Sequence, residues 1–315
     1  MENELVILQE QMVSFLTLLG IGYAFFRTGL VSETVVDAVP ALVMRFVLPA
    51  MLLAKLPIAG TPEQLFHMGW VLLAIMILFA VHMLLAFLSG KLMRLQQPTL
   101  NVHAAVCGLP NSAFVGYPLL FILFPDDTAL FMATYMLMDA VMLFGVAPVL
   151  LDPSGGGGKR DWRMLISPTN VCLVIALGML LLGLKFPAPI QTTLAGIGDM
   201  SKSLGLFYIG ADIARRGAGK LLRRWQLYGM LPVKLVLAPV CIFWIVRTLL
   251  PIDDKYIMMV GIMAMLPSMI TVCIQAKEYG SDPEYASGGL LVTTIASMFT
   301  MPIVMSWMVR WMGSL

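Results

Sequence analysis

Apolar stretches of about 20 residues or more follow one another along almost the whole chain, each long enough to cross a ~30 Å hydrocarbon core as a helix. Short polar turns separate them. This pattern fixes the class of fold: an all-α integral membrane protein, because a chain in lipid must satisfy its own backbone hydrogen bonds. Ten spans are expected, at about 5–26, 33–55, 67–91, 99–123, 128–150, 166–184, 192–213, 225–250, 256–277 and 284–309. Composition agrees. The 315 residues are 59% hydrophobic and 12% charged, with a mean hydropathy of +0.89, where a soluble domain carries about 25% charged residues. The net charge of +2 comes with basic residues in short loops rather than on one face, so no nucleic-acid partner is expected.

The N-terminus, MENELVILQE, is acidic, and the apolar run after it is too long for a signal-peptide core. It is read as a retained first helix. Cys107, Cys172, Cys241 and Cys273 fall in apolar segments at unrelated spacings, which suits small buried side chains and suggests neither a disulfide framework nor a zinc site. The methionines crowd 258–269 and 298–312 and read as adaptable apolar packing, so no metal path and no cofactor are expected.

Lys and Arg concentrate in cytoplasmic loops. The loops after spans 1, 3, 5, 7 and 9 hold twelve: Arg27, Lys91, Arg94, Lys159, Arg160, Arg163, Arg215, Arg216, Lys220, Arg223, Arg224 and Lys277. The opposite side holds five: Lys55, Lys185, Arg247, Lys255 and Arg310. Both termini are therefore expected outside the cell (inner) membrane. The low-complexity segment DPSGGGGKRD lies on the positive side. It divides the chain into a first repeat at 1–150, a linker at 151–163 and a second repeat at 164–315. Five spans per half is an odd number, so the halves are inverted with respect to each other.

The fourth span of each half is broken. One reads HAAVCGLPNSAFVGYPLLFILFPDD and the other VGIMAMLPSMITVCIQAKEYGSDPE. Pro110 aligns with Pro267, each after a leucine and before a small polar residue, and an acidic turn follows both (Asp126 and Asp127; Asp282 and Glu284). Proline removes a backbone N–H and frees a carbonyl one turn back. Such a break survives at membrane depth only inside protein or beside a wet cavity. Two breaks at matching depth in inverted halves can therefore face each other, as in inverted-repeat transporters. Their freed groups, with Pro110, Asn111, Ser112, Pro267, Ser268 and Thr271, would form a polar midplane site. Half-helix N-termini there favour an anion.

Several stretches together resemble the auxin efflux carrier family, which includes plant auxin exporters and bacterial malate and malonate carriers. They are LVMRFVLPAMLLAKL, GLPNSAFVGYPLL, LGLFYIGADI and LPSMITVCIQAKEYGSDPEYASGGLLVTTIASMFTMPIV. The resemblance implies two inverted five-helix repeats. Helices 1, 2, 6 and 7 would form a scaffold, and helices 3–5 and 8–10 a transport domain with helices 4 and 9 crossing at their prolines. It also implies elevator-like alternating access and a homodimer through the scaffold. The plant carriers have asparagine on both sides of the crossover proline. Here Leu109 precedes Pro110, Ser268 stands where a second asparagine would sit, and the long cytoplasmic loop is absent. A small organic anion is therefore a better substrate than auxin.

Ionisable side chains at membrane depth are costly and mark function. Arg45 is read as a bidentate partner for a substrate carboxylate, or as one half of a structural ion pair. Asp139 could hold a proton or a sodium ion as coupling ion, or pair with Lys234. His82 reads as a proton relay or as a neutral core histidine. His103 is placed near the interface, and Asp199 is paired with Lys202 three residues on. The leading function is secondary active transport of a small carboxylate. The alternatives are a passive channel or uniporter, and an integral-membrane enzyme. No nucleotide-binding loop supports primary pumping.

Overall fold

In a computed structural model the described residues are 2–153, 168–216 and 224–313, so most of the expected Gly-rich linker lies outside them. Among the described residues every regular element is a helix. We label the helical runs α1 (Glu2–Arg27), α2 (Glu33–Ile58), α3 (Gly69–Leu92), α4a (Thr99–Gly108), α4b (Ser112–Leu123), α5 (128–151), α6 (Pro168–Leu181), α7 (Ala188–Arg216), α8 (Gln226–Leu249), α9a (Asp254–Ala264), α9b (Ile270–Glu278) and α10 (Pro283–Gly313). Four helices are long and apolar enough to cross a membrane by length and composition: Glu33–Ile58, Pro62–Leu92, Gln226–Leu249 and Pro283–Met312. Val13–Arg27, Ser112–Leu123, Thr128–Val141 and Pro168–Leu181 are shorter apolar helices.

Proline shapes four of these runs in the same way. Pro49, Pro118, Pro148 and Pro239 each follow a single π-helical turn: Val43–Val47, Ser112–Gly116, Met142–Val146 and Val233–Leu237. A proline cannot donate to the carbonyl four residues back, and its ring crowds that carbonyl. The residue before it bonds five residues back instead, as Leu48 does to Val43 and Ala238 does to Val233. The helix continues with one extra residue in the turn, which moves the following side chains round the axis. Arg45, Ser112 and Lys234 all lie in such turns.

Two sets of helices hold together by different bonds. α1 lies against α7 with no room for side chains at the closest points. A Cβ on Gly22 would stand 2.1 Å from the Phe207 carbonyl oxygen, and one on Gly210 would stand 2.0 Å from that of Leu19. α7 is tied to α2 by Lys55–Asp199 at 2.9 Å and by Arg215, which bonds Asp37 as well as Asp212. Asp199 thus reaches across to α2, where the sequence suggested Lys202 as its partner. Thr169 of α6 donates to the Met44 carbonyl of α2.

The second set is closed by its acidic turns. Asp127, just before α5, accepts from Lys255 at the start of α9a at 2.7 Å. Asp282, just before α10, accepts from Thr99 at the start of α4a at 2.7 Å and from Arg224 at 2.5 Å. Each acidic turn therefore anchors the broken helix of the other half. Partial burial pushes the Asp282 carboxyl up, but the hydrogen bonds from Thr99, Arg224 and the Tyr285 N–H outweigh it and hold the group below its ordinary range. His103 is fully buried behind this clamp, between Ser89 and the Tyr285 hydroxyl at 2.9 Å each. The sequence suggested an interfacial position from its place near a helix end; α3 and α10 pack over that end of α4a and bury it.

Candidate functional site

The two breaks meet. α4a stops at Gly108, Leu109 turns to extended backbone, and α4b starts at Ser112. α9a stops at Ala264, Met269 is extended, and α9b starts at Ile270. Between them the two loops exchange backbone hydrogen bonds. The Asn111 N–H donates to the Pro267 carbonyl at 2.9 Å, and the Met269 N–H donates to the Leu109 carbonyl at 2.9 Å. This is a single antiparallel bridge, Pro110 opposite Ser268. Each break satisfies part of what the other exposes, which the low-dielectric interior requires.

The exchange frees one carbonyl in each half, three residues before the proline. Cys107 would normally accept from Asn111 and Ala264 from Ser268, four residues on. Asn111 has turned to Pro267, and the Ser268 N–H donates to the Thr293 hydroxyl of α10 at 3.1 Å. Side chains from the other half take the vacant places. Lys234 of α8 donates from Nζ to the Cys107 carbonyl at 2.7 Å. His82 of α3 brings Nε2 to 3.1 Å from the Ala264 carbonyl, and Nδ1 lies 3.1 Å from its own Leu78 carbonyl. Both side chains are 1% exposed. Lys234 and His82 are therefore reciprocal caps: the third helix of each half closes the broken fourth helix of the other.

This arrangement corrects the expected pairing of Asp139 with Lys234. Asp139 instead accepts from the Ser112 hydroxyl, Oγ to Oδ2 at 3.0 Å. Its other oxygen, Oδ1, is buried without a hydrogen-bond partner, and so are the Tyr135 hydroxyl and the Asn111 Nδ2. The rings of Tyr117 and Tyr135 meet edge to face at 6.2 Å. Asn111 Oδ1 caps the start of α4b through the Phe114 N–H at 3.4 Å. Ser268 Oγ stands 3.0 Å from Thr293 Oγ1. Of the residues the sequence singled out, Pro110, Asn111, Ser112, Pro267 and Ser268 gather here and are buried, while Thr271 is partly exposed in the first turn of α9b.

Arg45 stands apart. It is exposed on α2, and no ion pair or hydrogen bond engages it among the described residues. A cleft of about 700 Å³ opens between α2, α7, α9b and α10, lined by Asp37, Ala41, Tyr208, Arg215 and Lys277 among others. Tyr208 stands between that cleft and the crossover, with its ring stacked on Phe114 of α4b at 6.0 Å. On the opposite side a smaller cleft of about 370 Å³ is lined by His67, Asp127, Lys255 and Tyr256. Sequence reasoning missed Tyr208, Phe114 and Tyr135. It also missed the capping roles, though Lys234 and His82 were legible as polar side chains at membrane depth.

A protein of Rhizobium meliloti (strain 1021) named "Putative malonate transporter" is 22% identical over 255 residues, covering 77% of this chain and 78% of its own length. Residues 7–305 match the family described as membrane transport protein. With nearly the whole chain matched and the broken helices meeting as they do, the protein is a transporter and not an enzyme: it belongs to the membrane transport protein family, the auxin efflux carriers.

Proposed function

We propose that this protein is a secondary active carrier for a small carboxylate, working by elevator-like alternating access in the cell membrane with both termini outside. The observation that carries the reading is the crossover itself. Two half-helix N-termini and a set of buried hydroxyl and amide groups converge there, on a bridge that closes both breaks. Converging N-termini favour a negatively charged ligand. Asn111, Ser112, Ser268 and Thr271 supply neutral donors, with Pro110 and Pro267 setting the breaks. The relative named for malonate supports a short dicarboxylate as the first substrate to try.

The ten spans form two inverted repeats, 1–150 and 164–315, on this reading. Helices α1, α2, α6 and α7 are the scaffold, tied by close glycine contacts and ion pairs. Helices α3–α5 and α8–α10 are the moving body, tied by the crossover, its caps and the acidic clamps. Arg45 belongs to the scaffold. Asp37 and Ala41 line the large cleft, and Arg45 lies further along α2, inside the π turn Val43–Val47. It would meet the substrate carboxylate that emerges once the Phe114–Tyr208 stack opens. Exposed apolar positions on α2 and α6, such as Phe46 and Val174, suit contact with a second copy through the scaffold. Coupling is to a proton or to sodium, with Asp139, Lys234 and His82 as the buried polar groups available.

The test is uptake of malonate and a panel of mono- and dicarboxylates into proteoliposomes, with pH and sodium gradients imposed separately. Accumulation of a carboxylate above its equilibrium level under one gradient is the expected result. Equilibration without accumulation under either gradient would replace the carrier with a channel or uniporter.

A further inference from the structure

We propose that Asp139 binds the coupling proton, and that proton and substrate are linked because Asp139 and the anion compete for one hydroxyl, that of Ser112. This rests on the carrier reading above and deepens it by naming the ion, its site and the coupling contact.

Three observations carry the proposal. First, Asp139 is a carboxylate with one oxygen engaged and one buried oxygen left without a partner. Second, the groups around it are neutral. Tyr117 on α4b and Tyr135 on α5 itself face it, and both hydroxyls are buried, that of Tyr135 without a partner and that of Tyr117 beside the Ser112 hydroxyl. The charged or titratable groups on other packed helices are engaged elsewhere. His82 of α3 lies between two carbonyls, Lys55 of α2 is paired with Asp199, and Lys234 of α8 holds Cys107. An ionised carboxylate in this place has no counter-cation, and burying it so costs far more than burying its neutral form. A proton on Oδ1 removes that cost, and the resulting O–H can donate to a tyrosine hydroxyl. Third, Ser112 is the first residue of α4b, at the crossover where the anion is expected, and it has one hydrogen to give.

The coupling follows from that single hydrogen. While Asp139 is ionised, the Ser112 hydroxyl donates to Oδ2 in a charge-assisted bond. When Oδ1 takes a proton from water, the carboxyl becomes a weaker acceptor, and Ser112 can turn its hydrogen to the substrate carboxylate. Proton and anion then bind together and leave together. Each raises the affinity for the other by the same factor.

The experiment uses the full-length protein, purified in sodium-free detergent solution, with malonate as the probe and at pH values above those where malonate itself protonates. Wild type is expected to take up about one proton per malonate bound in weak buffer. Its malonate Kd should rise with pH, approaching tenfold per unit where the free carrier is ionised. Asp139→Asn should bind malonate with no proton uptake and a Kd that does not move with pH. Infrared difference spectra on acidification should show a protonated-carboxyl band in wild type that Asp139→Asn lacks. Ser112→Ala, which leaves Asp139 free to protonate, should keep that band and flatten the pH dependence. Malonate binding without proton uptake would overturn the proposal, as would uptake retained in Asp139→Asn, a wild-type pH slope in Ser112→Ala, or affinity set by added sodium instead of pH. If no carboxylate in the panel binds at any pH, the carrier reading fails. The infrared band still decides the proton site: its loss in Asp139→Asn supports it, and its absence from wild type overturns it.

Discussion

Replacing Lys234 by methionine removes the cap and its charge together while keeping most of the side-chain volume. Lys234 is buried and makes one hydrogen bond, to the Cys107 carbonyl at 2.7 Å. Lys234→Met leaves that carbonyl without a donor, at a cost of about 1–3 kcal/mol. It also removes a buried ammonium, whose desolvation costs several kcal/mol. The unbranched methionine side chain fills nearly the same space, so a cavity term of about 2–5 kcal/mol, expected for Lys234→Ala, is avoided. The terms nearly cancel or favour the variant, and its melting temperature should stay within a few degrees of wild type or rise.

Transport should respond differently. Without the cap, the end of α4a is free to tighten or fray, and the Asn111–Pro267 bridge loses the geometry that presents Ser112. Misplacing groups at the site by about 1 Å can cost on the order of 100-fold in rate, so malonate uptake into proteoliposomes should fall at least tenfold. Wild-type uptake by Lys234→Met would refute the capping argument. A melting temperature lowered by more than about 10 °C would refute the energy balance, since that corresponds to roughly 3–5 kcal/mol in a domain of moderate size.

Further outcomes follow from the same structure. Arg45→Lys keeps the charge and loses the planar fork, so malonate affinity should fall about tenfold and fall further in Arg45→Ala, with melting temperature unchanged; wild-type affinity in Arg45→Ala removes Arg45 from the site. Gly210→Leu cannot fit its Cβ beside the Leu19 carbonyl, so α1 should detach from α7, and size-exclusion chromatography should show loss of the folded, monodisperse peak. The Asp282 carboxylate is held below its ordinary range, so its clamp is fully present above about pH 4 and is lost as pH falls through the folded value. Asp282→Asn should therefore melt lower than wild type at neutral pH, and the gap should close on acidification; an unchanged gap would place the stabilisation elsewhere.

The breaks were legible because proline is punctuation that sequence carries openly, and the same ordinal position in each half made Pro110 and Pro267 stand out together. The π turns were only partly legible: a five-residue bond precedes Pro49 and Pro239, whereas Pro302 sits inside continuous α-helix. The caps were not. Lys234 lies 127 residues from Cys107 and His82 lies 182 from Ala264, and nothing local says which freed carbonyl a distant helix will reach. For the same reason the sequence offered Lys234 as one possible partner of Asp139, beside a proton or sodium ion: the two are of opposite sign and both fall near the middle of their expected spans. In the fold a neutral hydroxyl four helices away in sequence from Lys234 engages one oxygen of the carboxylate, and a carbonyl accepts from the amine. Depth was readable, but facing was not, because each π turn rotates the side chains that follow it.

The distribution of polar bonds bears on how such a molecule could move. Among the described residues, α3, α4a, α4b, α5, α8, α9a, α9b and α10 supply the backbone bridge, the two caps, the bond of Ser112 to Asp139, and Ser268 with Thr293. The acidic clamps at both ends join the same helices or, through Arg224, the turn that leads into α8. The ion pairs from Lys55 and Arg215 join α2 to α7, and Lys55 also lies over the Phe121 ring of α4b, 4.1 Å from its centroid. Where the crossover meets α7, Phe114 stacks on Tyr208 and also packs closely on Gly205, where a Cβ would stand 2.7 Å from the Phe114 ring. Opening a ring stack costs only dispersion contacts, whereas a broken buried hydrogen bond costs its full desolvation. On the proposed elevator reading, a body made of these helices would carry the bridge, the caps and the Lys255–Asp127 and Thr99–Asp282 clamps with it. Tyr208→Asn, which puts an amide where the ring stacks, should slow uptake while leaving malonate binding in place; loss of binding instead would put Tyr208 in the site itself.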